Sequence, residues 1–288
     1  MSAPDLHTRW RLEVPADQEE GLADWLTDQG ANATYRDADP PQAFYAYFPP
    51  GCRPDRRAID SFPGVRLEAE ERFADEDWLA KSREGFGHFE VGLRFFVRPA
   101  WDPTPAPPGR IPVIVNPGLA FGTGGHETTR LCMVLLEQLA AAGRLSGPIL
   151  DVGSGTGILA LCAHLLGFGD ITAFDIDPDC GPAMDEMVAM NAAVLHGARP
   201  FDGAIGQLAA FRARGPYHGL IANILLETIG ELLPELHATA APGAWLVASG
   251  LLLEREDEAL LTLAAGGFRP LRILREGQWL AVLCERVP

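Results

Sequence analysis

Two glycine-rich segments, at 116–129 and 149–157, carry the residues best suited to bind a ligand. The second segment reads ILDVGSGTG and leads into an apolar run of helical character. Glycine permits a tight turn and a close approach of a ligand to the backbone, and a helix N-terminus offers free N–H donors. Its glycines, Gly153 and Gly155 among them, therefore predict a ligand site between a strand and a helix.

The spacing of these glycines argues against a dinucleotide. The pattern is G-x-G-x-G from Gly153, whereas the dinucleotide fingerprint requires a sixth-position glycine where this chain has Ile158. A ligand with a carboxylate or a single sugar edge is therefore favoured over a pyrophosphate. The alternative is a strand-to-helix turn that binds no ligand.

An acidic residue follows at the distance expected for ribose recognition. Asp175 lies 22 residues after Gly153 and ends the next apolar run. In doubly wound folds, a carboxylate at this position accepts hydrogen bonds from ribose hydroxyls. Asp177 is the alternative, but it precedes Pro178 and suits the opening of the next helix. We assign the ribose contact to Asp175.

The first segment, NPGLAFGTGGHETT, combines glycines with hydroxyls and leads into an amphipathic helix. These hydroxyls could cap the helix or donate to a ligand, and they belong to Thr123, Thr128 and Thr129. His126 and Glu127 suggest acid–base or metal chemistry, but neither has a second ligand at a workable spacing. The segment therefore predicts a second wall of the same pocket, without a metal.

A polar amide ends another apolar run. Asn223 follows LIA at 220–222, which places it at the carboxyl edge of a parallel sheet, where ligands bind in such folds. Asn223 either caps the following helix or binds a substrate. In methyl transfer to an amine, a side-chain carbonyl could orient the nitrogen lone pair, and positioning could supply most of the acceleration. The sequence shows no Ser-His-Asp or Cys-His arrangement.

Alternating strands and helices position these residues. The apolar runs that end at Val152, Asp175 and Asn223 are each followed by turn residues and a helical pattern, which is typical of a parallel sheet covered on both faces. One more strand is predicted at 244–249, and two final strands form a hairpin at 268–274 and 279–284. This pattern predicts an α/β fold with a seven-stranded Rossmann-like methyltransferase sheet that ends in an antiparallel hairpin.

The N-terminal part has a different organisation. Periodicity predicts a helix at 17–29 and strands at 10–14, 43–48 and 65–73, and farther on a strand at 91–97 and an exposed loop at 101–110. We predict a small α+β domain, a charged linker helix and the methyltransferase domain, at 1–73, 74–90 and 91–288. The sequence of the small domain shows no group of catalytic residues, so by exclusion we expect this domain to bind a partner.

The charge of the chain bears on its partners. Its 288 residues include 39 acidic and 23 basic side chains, a formal net charge of −16. Because so negative a surface repels phosphate backbones, we expect no direct binding of nucleic acid and favour a basic protein partner. Solubility alone is the alternative explanation of the charge. A hydrophobic content of 47% argues against intrinsic disorder.

Cysteine usage and hydropathy bear on the compartment. Five scattered cysteines without a C-x-x-C pair argue against a disulfide framework or a zinc site and suit a reducing cytosol. The N-terminus has no apolar signal region, and no run of 18 apolar residues occurs. We therefore expect a cytoplasmic protein that is neither exported nor membrane-spanning, and we assume a monomer.

Four stretches resemble the methyltransferases that modify ribosomal protein L11 of the large subunit. In order, they are NPGLAFGTGGHETTRLC, ILDVGSGTGILAL, FDIDP and IANIL. DEDWLAKSREGF and VRPAW are also similar, so the resemblance runs from about residue 75 to the C-terminus. The first stretch is specific to the family, whereas many methyltransferases share the second. Asn116 departs from the pattern where an acidic residue is common, and Glu127 departs where proline is common.

The resemblance implies S-adenosylmethionine as donor and the amino groups of a basic ribosomal protein as acceptors, both lysine side chains and the N-terminal amine. It also implies that the N-terminal domain recognises the substrate and that the linker lets this domain move. By position, the family's cofactor contacts fall on Thr129, Gly153, Asp175 and Asn223, with Phe121, Gly122 and Thr123 lining the pocket. Asn223 would also align the amine.

Two alternatives to this function come from different classes. One is a methyltransferase for lysines of another protein or for a small amine. The other is a non-catalytic cofactor-binding assembly protein, which predicts damage to the glycine loop or the acidic residue, and the sequence shows neither. The leading interpretation is direct in-line transfer to a positioned neutral amine. Since only about one lysine in a few thousand is neutral at pH 7, the rate should depend on pH.

Overall fold

The computed structural model describes residues 6–15, 18–31, 33–36, 43–52, 54–73, 87–116 and 124–287. The chain divides into two compact units, Met1–Gly85 and Phe86–Pro288. The domain boundaries at 73 and 91 stay a prediction, and residues 74–86 of the predicted linker helix lie outside the described residues. The end of that predicted helix is corrected, because Phe89 and Glu90 belong to a strand.

The first unit contains an antiparallel sheet and an α-helix, α1 (Glu19–Asp28). Its strands lie in the order β2-β3-β1-β4 and comprise β1 (His7–Glu13), β2 (Ala33–Arg36), β3 (Phe44–Phe48) and β4 (Arg66–Phe73). Leu22 and Leu26 of α1 form one core with Trp10 and Leu12 of β1. Residues four apart share a helix face and residues two apart share a strand face, so both elements bury one side.

A three-stranded sheet opens the second unit. It consists of β5 (Phe89–Val91), β6 (Phe95–Pro99) and β7 (Ile111–Val115). The single strand predicted at 91–97 is therefore wrong. Gly92 has φ +54° and begins a turn, and the Glu137 carboxylate accepts hydrogen bonds from the backbone N–H groups of Leu93 and Arg94 at 2.8 and 2.9 Å. This fixed turn separates two strands.

The large sheet has seven strands in the order β10-β9-β8-β11-β12-β14-β13. They are β8 (Ile149–Val152), β9 (Ile171–Asp175), β10 (Asp202–Ile205), β11 (Tyr217–Asn223), β12 (Ala240–Leu252), β13 (Phe268–Glu276) and β14 (Trp279–Arg286). The first five in spatial order are parallel, whereas β14 runs antiparallel to both β12 and β13. The predicted sheet with its terminal hairpin is confirmed.

Helices cover both faces of this sheet. They are α2 (Glu127–Ala141), α3 (Ile158–Leu165), α4 (Cys180–Met190), α5 (Ala192–Leu195), α6 (Leu226–Thr239) and α7 (Glu256–Ala265). Ile149 packs in one core with α2, α3 and α4, and its neighbour Leu150 packs in another with α6 and α7. Successive strand residues point to opposite faces, which explains the continuous apolar runs. Within the described ranges, no helix has the length and apolar character that a bilayer crossing requires.

Candidate active site

A cavity of about 980 Å³ opens at the carboxyl ends of β8, β9 and β11. Gly153, Gly155, Asp175 and Asn223 all line it. The three strands are neighbours in the sheet, so their ends converge although the sequence separates them widely. The volume lies in the range of small-molecule sites. Residues that sequence reasoning selected from three separate stretches of the chain therefore share one cavity.

The turn between β8 and α3 requires its glycines. Gly153, Gly155 and Gly157 have φ of +67°, +54° and +77°, a region that other residues rarely adopt. A Cβ on Gly153 would lie 2.6 Å from Cγ2 of Ile224, and one on Gly157 would lie 2.6 Å from Cζ of Phe201. A side chain at either position would force its neighbour to shift. Gly153 and Gly155 therefore present backbone, without a side chain, to the cavity that they line.

The carboxylate of Asp175 is fixed by two backbone donors. Its Oδ2 accepts a hydrogen bond from the Gly155 N–H at 2.9 Å, and its Oδ1 accepts one from the Asp177 N–H at 3.1 Å. A carboxylate has about four acceptor positions, so capacity remains for ligand hydroxyls. Asp177 also lines the cavity, but its Oδ1 accepts from the Asp179 N–H at 2.9 Å, just before α4. This matches the helix-opening alternative for Asp177.

Asn223 presents an acceptor oxygen without a partner. Its Nδ2 donates to Oγ1 of Thr129 at 3.4 Å, and Thr129 is buried in α2. Its buried Oδ1 forms no hydrogen bond to any described residue. An unsatisfied buried acceptor costs about 1–3 kcal/mol. The arrangement is therefore suited to a ligand that donates a hydrogen bond.

The N-terminus of α2 is capped differently from the sequence expectation. His126, not a threonine, is the N-cap, and its Nδ1 accepts a hydrogen bond from the Thr128 N–H at 3.3 Å. The His126 ring also contacts Trp279, with centroids 5.1 Å apart. Imidazole replaces the expected hydroxyl because it reaches the same free N–H group. Thr128 is buried, and its carbonyl oxygen accepts from Oγ of Ser249 at 3.1 Å.

The part of the first glycine-rich segment that the structure describes, residues 124–129, lies next to the end of the second segment. A Cβ on Gly124 would lie 3.0 Å from Cδ1 of Ile158, the first residue of α3. Phe121, Gly122 and Thr123, which were predicted to line the pocket, lie outside the described residues. Among the residues that the structure describes, no three His, Cys, Asp or Glu side chains are placed to bind a metal ion together.

A buried carboxyl group beneath the turn was missed by sequence reasoning. Asp151 is 1% exposed, and its Oδ2 has no partner in the described part of the chain. The pKa of Asp151 is raised to about 7, mainly because burial disfavours the charged carboxylate. A hydrogen bond from the Ala160 backbone lowers this pKa, and the negative charge of Asp175 raises it. The sequence feature that could have identified Asp151 is an acidic residue inside the apolar run ILDV.

Two helices complete the wall of the cavity. From α4 comes Glu186, whose Oε1 accepts a hydrogen bond from Nδ2 of Asn116 at 2.8 Å. From α6 come Thr228, Leu232 and Glu235. These helix residues stand in ordinary amphipathic patterns, so the sequence contains no signal that identifies them, whereas Asn116 departs from the family pattern.

Comparison with known proteins identifies the family. The model of the family described as ribosomal protein L11 methyltransferase (PrmA) matches residues 58–287. A ribosomal protein L11 methyltransferase of Geobacter metallireducens is 32% identical over 299 positions, which cover 95% of this chain and 96% of the relative. One from Pelobacter propionicus is 36% identical, covering 80% of this chain and 74% of that protein.

A solved structure agrees with these relatives. The crystal structure of a ribosomal protein L11 methylase from Lactobacillus delbrueckii subsp. bulgaricus is 27% identical, with a TM-score of 0.60. The match covers 70% of this chain and all of that one. Its fold agrees with the seven-stranded sheet described above. The chain therefore belongs to the ribosomal protein L11 methyltransferase family.

Proposed function

We propose that this protein transfers methyl groups from S-adenosylmethionine to lysine and N-terminal amino groups of ribosomal protein L11. Family membership supports the reaction, the donor and the substrate protein. The observation that carries the proposal is the unpartnered Oδ1 of Asn223 in a cavity that the glycine turn and Asp175 also line. A non-catalytic role is not favoured, because both the turn and the carboxylate are intact.

The residues present fit the donor. Asp175 retains acceptor capacity for ribose hydroxyls, and the glycine turn offers backbone to a ligand. S-adenosylmethionine, when bound, supplies a methyl group activated by a sulfonium, so the protein needs no nucleophile of its own. The charged side chains lining the cavity are all carboxylates among the described residues, namely Asp175, Asp177, Asp179, Glu186 and Glu235. That charge suits a cationic ligand.

Asn223 is assigned the alignment of the acceptor amine. Thr129 holds the Nδ2 side of the amide, which leaves Oδ1 to accept an N–H of the amine. An amine held in this way directs its lone pair away from Asn223. Orientation of this kind can replace a large part of the entropic barrier of a bimolecular reaction.

The first unit is assigned substrate recognition in this proposal. Its described sheet carries cross-strand ion pairs, such as that between Arg9 and Glu71 at 2.5 Å, but no described metal or catalytic cluster. We further propose that the enzyme is a cytoplasmic monomer and that it binds its substrate protein without binding nucleic acid directly. The net charge of −16 supports the last point, because it repels phosphate backbones.

The test is methylation of purified ribosomal protein L11, followed by mass spectrometry of the intact protein and its peptides. We expect methyl groups on amino nitrogens of this substrate. Asn223→Ala should lower kcat by about a hundredfold through lost positioning. Asn116→Ala removes another amide of the cavity wall and is the matched control, expected to stay within about fivefold. Methylation of other proteins in an extract, with L11 unmodified, would favour the alternative acceptor.

A further inference from the structure

An irregularity in strand β12 lies directly beside Asn223. Ser249 of β12 is the register partner of Asn223 in β11. Relative to its other neighbour, β14, strand β12 has one extra residue between Ala248 and Leu251. Gly250, within this interval, has φ +82°. A glycine with a left-handed backbone is typical of a β-bulge, and bulges often re-aim a side chain next to an active site. We call Ser249 and Gly250 the β12 bulge.

Gly250 closely approaches the backbone of the residue that follows Asn223. A Cβ on Gly250 would lie 2.4 Å from the carbonyl oxygen of Ile224 and 2.9 Å from its carbonyl carbon. Ordinary van der Waals contact begins at 3.4 Å, so the two backbones would have to separate by about 1 Å more. The side chain of Ile224 is confined as well, because its Cγ2 would lie 2.6 Å from a Cβ on Gly153. Close packing against two glycines therefore fixes the residue next to Asn223.

Ser249 contacts the helix turn that holds the amide of Asn223. Ser249 is buried, and its Oγ donates a hydrogen bond to the carbonyl oxygen of Thr128 at 3.1 Å. The next residue, Thr129, accepts the hydrogen bond from Nδ2 of Asn223 at 3.4 Å. Neither Ser249 nor Gly250 lines the cavity. The β12 bulge therefore contacts the surroundings of Asn223 on two sides, and it can affect a ligand only through them.

We propose that the β12 bulge positions Asn223 for methyl transfer. Gly250 sets the backbone at Ile224, and Ser249 sets the first turn of α2, which includes Thr129. This assignment rests on the proposed function, in which Oδ1 of Asn223 aligns the acceptor amine. A displacement of about 1 Å in an aligning group can lower a rate about a hundredfold. The bulge should therefore affect kcat more than it affects the binding of substrate or cofactor.

The test compares two glycines of β12 by steady-state kinetics with ribosomal protein L11. Gly243 lies in the same strand and also has a positive φ, +72°, but a Cβ there would meet nothing within 4 Å. Gly250→Ala should lower kcat about 30- to 100-fold, with KM for L11 and the Kd of S-adenosylhomocysteine within about threefold. Gly243→Ala should keep all three within about twofold. Thermal unfolding checks that both variants are folded at the assay temperature.

A double variant separates positioning from general damage to the fold. Added to Asn223→Ala, Gly250→Ala should lower kcat by less than about twofold, because a residue that acts through Asn223 then has nothing to position. Independent structural damage would instead multiply the two losses. Multiplied losses, or a loss in cofactor affinity as large as the loss in kcat, would contradict the assignment.

Ser249→Ala provides a second variant, which removes a hydrogen bond without adding a contact. It should lower kcat about three- to tenfold at unchanged KM, and it decides the assignment if Gly250→Ala does not fold. If Asn223→Ala were impaired while folded Gly250→Ala and Ser249→Ala had normal kcat, the role of the bulge alone would be wrong. No methylation of L11 by the wild type would overturn the proposed function, and this assignment with it.

Discussion

At the scale of single residues, backbone and hydroxyl contacts fix the polar groups of the site before a ligand arrives. The two oxygens of Asp175 accept from Gly155 and Asp177, and Thr129 holds the amide of Asn223. A group held in one orientation loses little entropy when its ligand binds. Asp151 differs from these residues, because its carboxyl group is buried with one oxygen unpartnered.

The burial of Asp151 predicts a stability that depends on pH. Its pKa is raised from 3.8 to about 7 in the folded protein, so the folded state binds a proton that the unfolded state has lost between these values. The free energy of unfolding therefore falls as pH rises from about 4 to about 7. Above that range, Asp151 is ionised in both states and the loss of stability does not increase further. Asp151→Asn should raise the free energy of unfolding by about 1–4 kcal/mol at pH 8 and change it little at pH 4.

Denaturant titrations of the wild type and Asp151→Asn at both pH values measure this difference. Asp185→Asn is the control, since Asp185 is exposed on α4. That variant should stay within about 0.5 kcal/mol of the wild type at either pH. An equal effect of Asp151→Asn at pH 4 and pH 8 would show that ionisation of this carboxyl group does not destabilise the fold.

At the scale of elements, the apolar strands and the terminal hairpin could be predicted from the sequence, whereas edge strands such as β10 and β7 could not. β10 is short and mostly exposed, so DGAI has no apolar run, and β7 contains a proline that is typical of edges. Asp175 and Asn223 could be predicted because they end central strands. The walls from α4 and α6 could not, since they depend on how distant elements pack.

We expect a substitution in the turn between β8 and α3 to weaken both the fold and cofactor binding. Gly153→Ala places a Cβ at φ +67° and 2.6 Å from Ile224, so strain and overpacking together should cost about 2–4 kcal/mol of unfolding free energy. Because Gly153 lines the cavity, the Kd of S-adenosylhomocysteine should rise more than about tenfold. Thermal unfolding and calorimetry measure the two effects.

Gly143→Ala is the matched control for the turn. Gly143 also has a positive φ, +73°, but a Cβ there would meet nothing within 4 Å. It should lose only about 1–2 kcal/mol from backbone strain and bind S-adenosylhomocysteine like the wild type. If both variants bound this ligand equally well, the turn after β8 would not belong to the cofactor site.

At the scale of the whole molecule, the net charge of −16 and the carboxylates around the cavity favour a cationic donor and a basic substrate protein. A basic substrate arrives with protonated lysines, whose ordinary pKa is about 10.4. Transfer to nitrogen requires the neutral amine, so the site must select it or lower its pKa by desolvation.

This requirement predicts different pH profiles for the two kinds of acceptor. Methylation of lysine side chains should rise continuously from pH 7 to pH 9. Methylation of the N-terminal amine should level off near pH 8, because its ordinary pKa is about 7.7–8.0. Site-resolved mass spectrometry of L11 at several pH values gives both rates from one reaction. A flat lysine profile would mean that deprotonation does not limit the reaction.

We propose that the glycine turn and Asp175 form the cofactor site, and calorimetric titration with S-adenosylhomocysteine measures their contribution to binding. Asp175→Ala removes charge-assisted hydrogen bonds worth roughly 1.5–3 kcal/mol, so affinity should fall about ten- to a hundredfold. Asp177→Ala, at the other carboxylate considered for this role, should stay within about twofold. Unchanged binding by Asp175→Ala, or a loss only in Asp177→Ala, would show that Asp175 does not bind the cofactor.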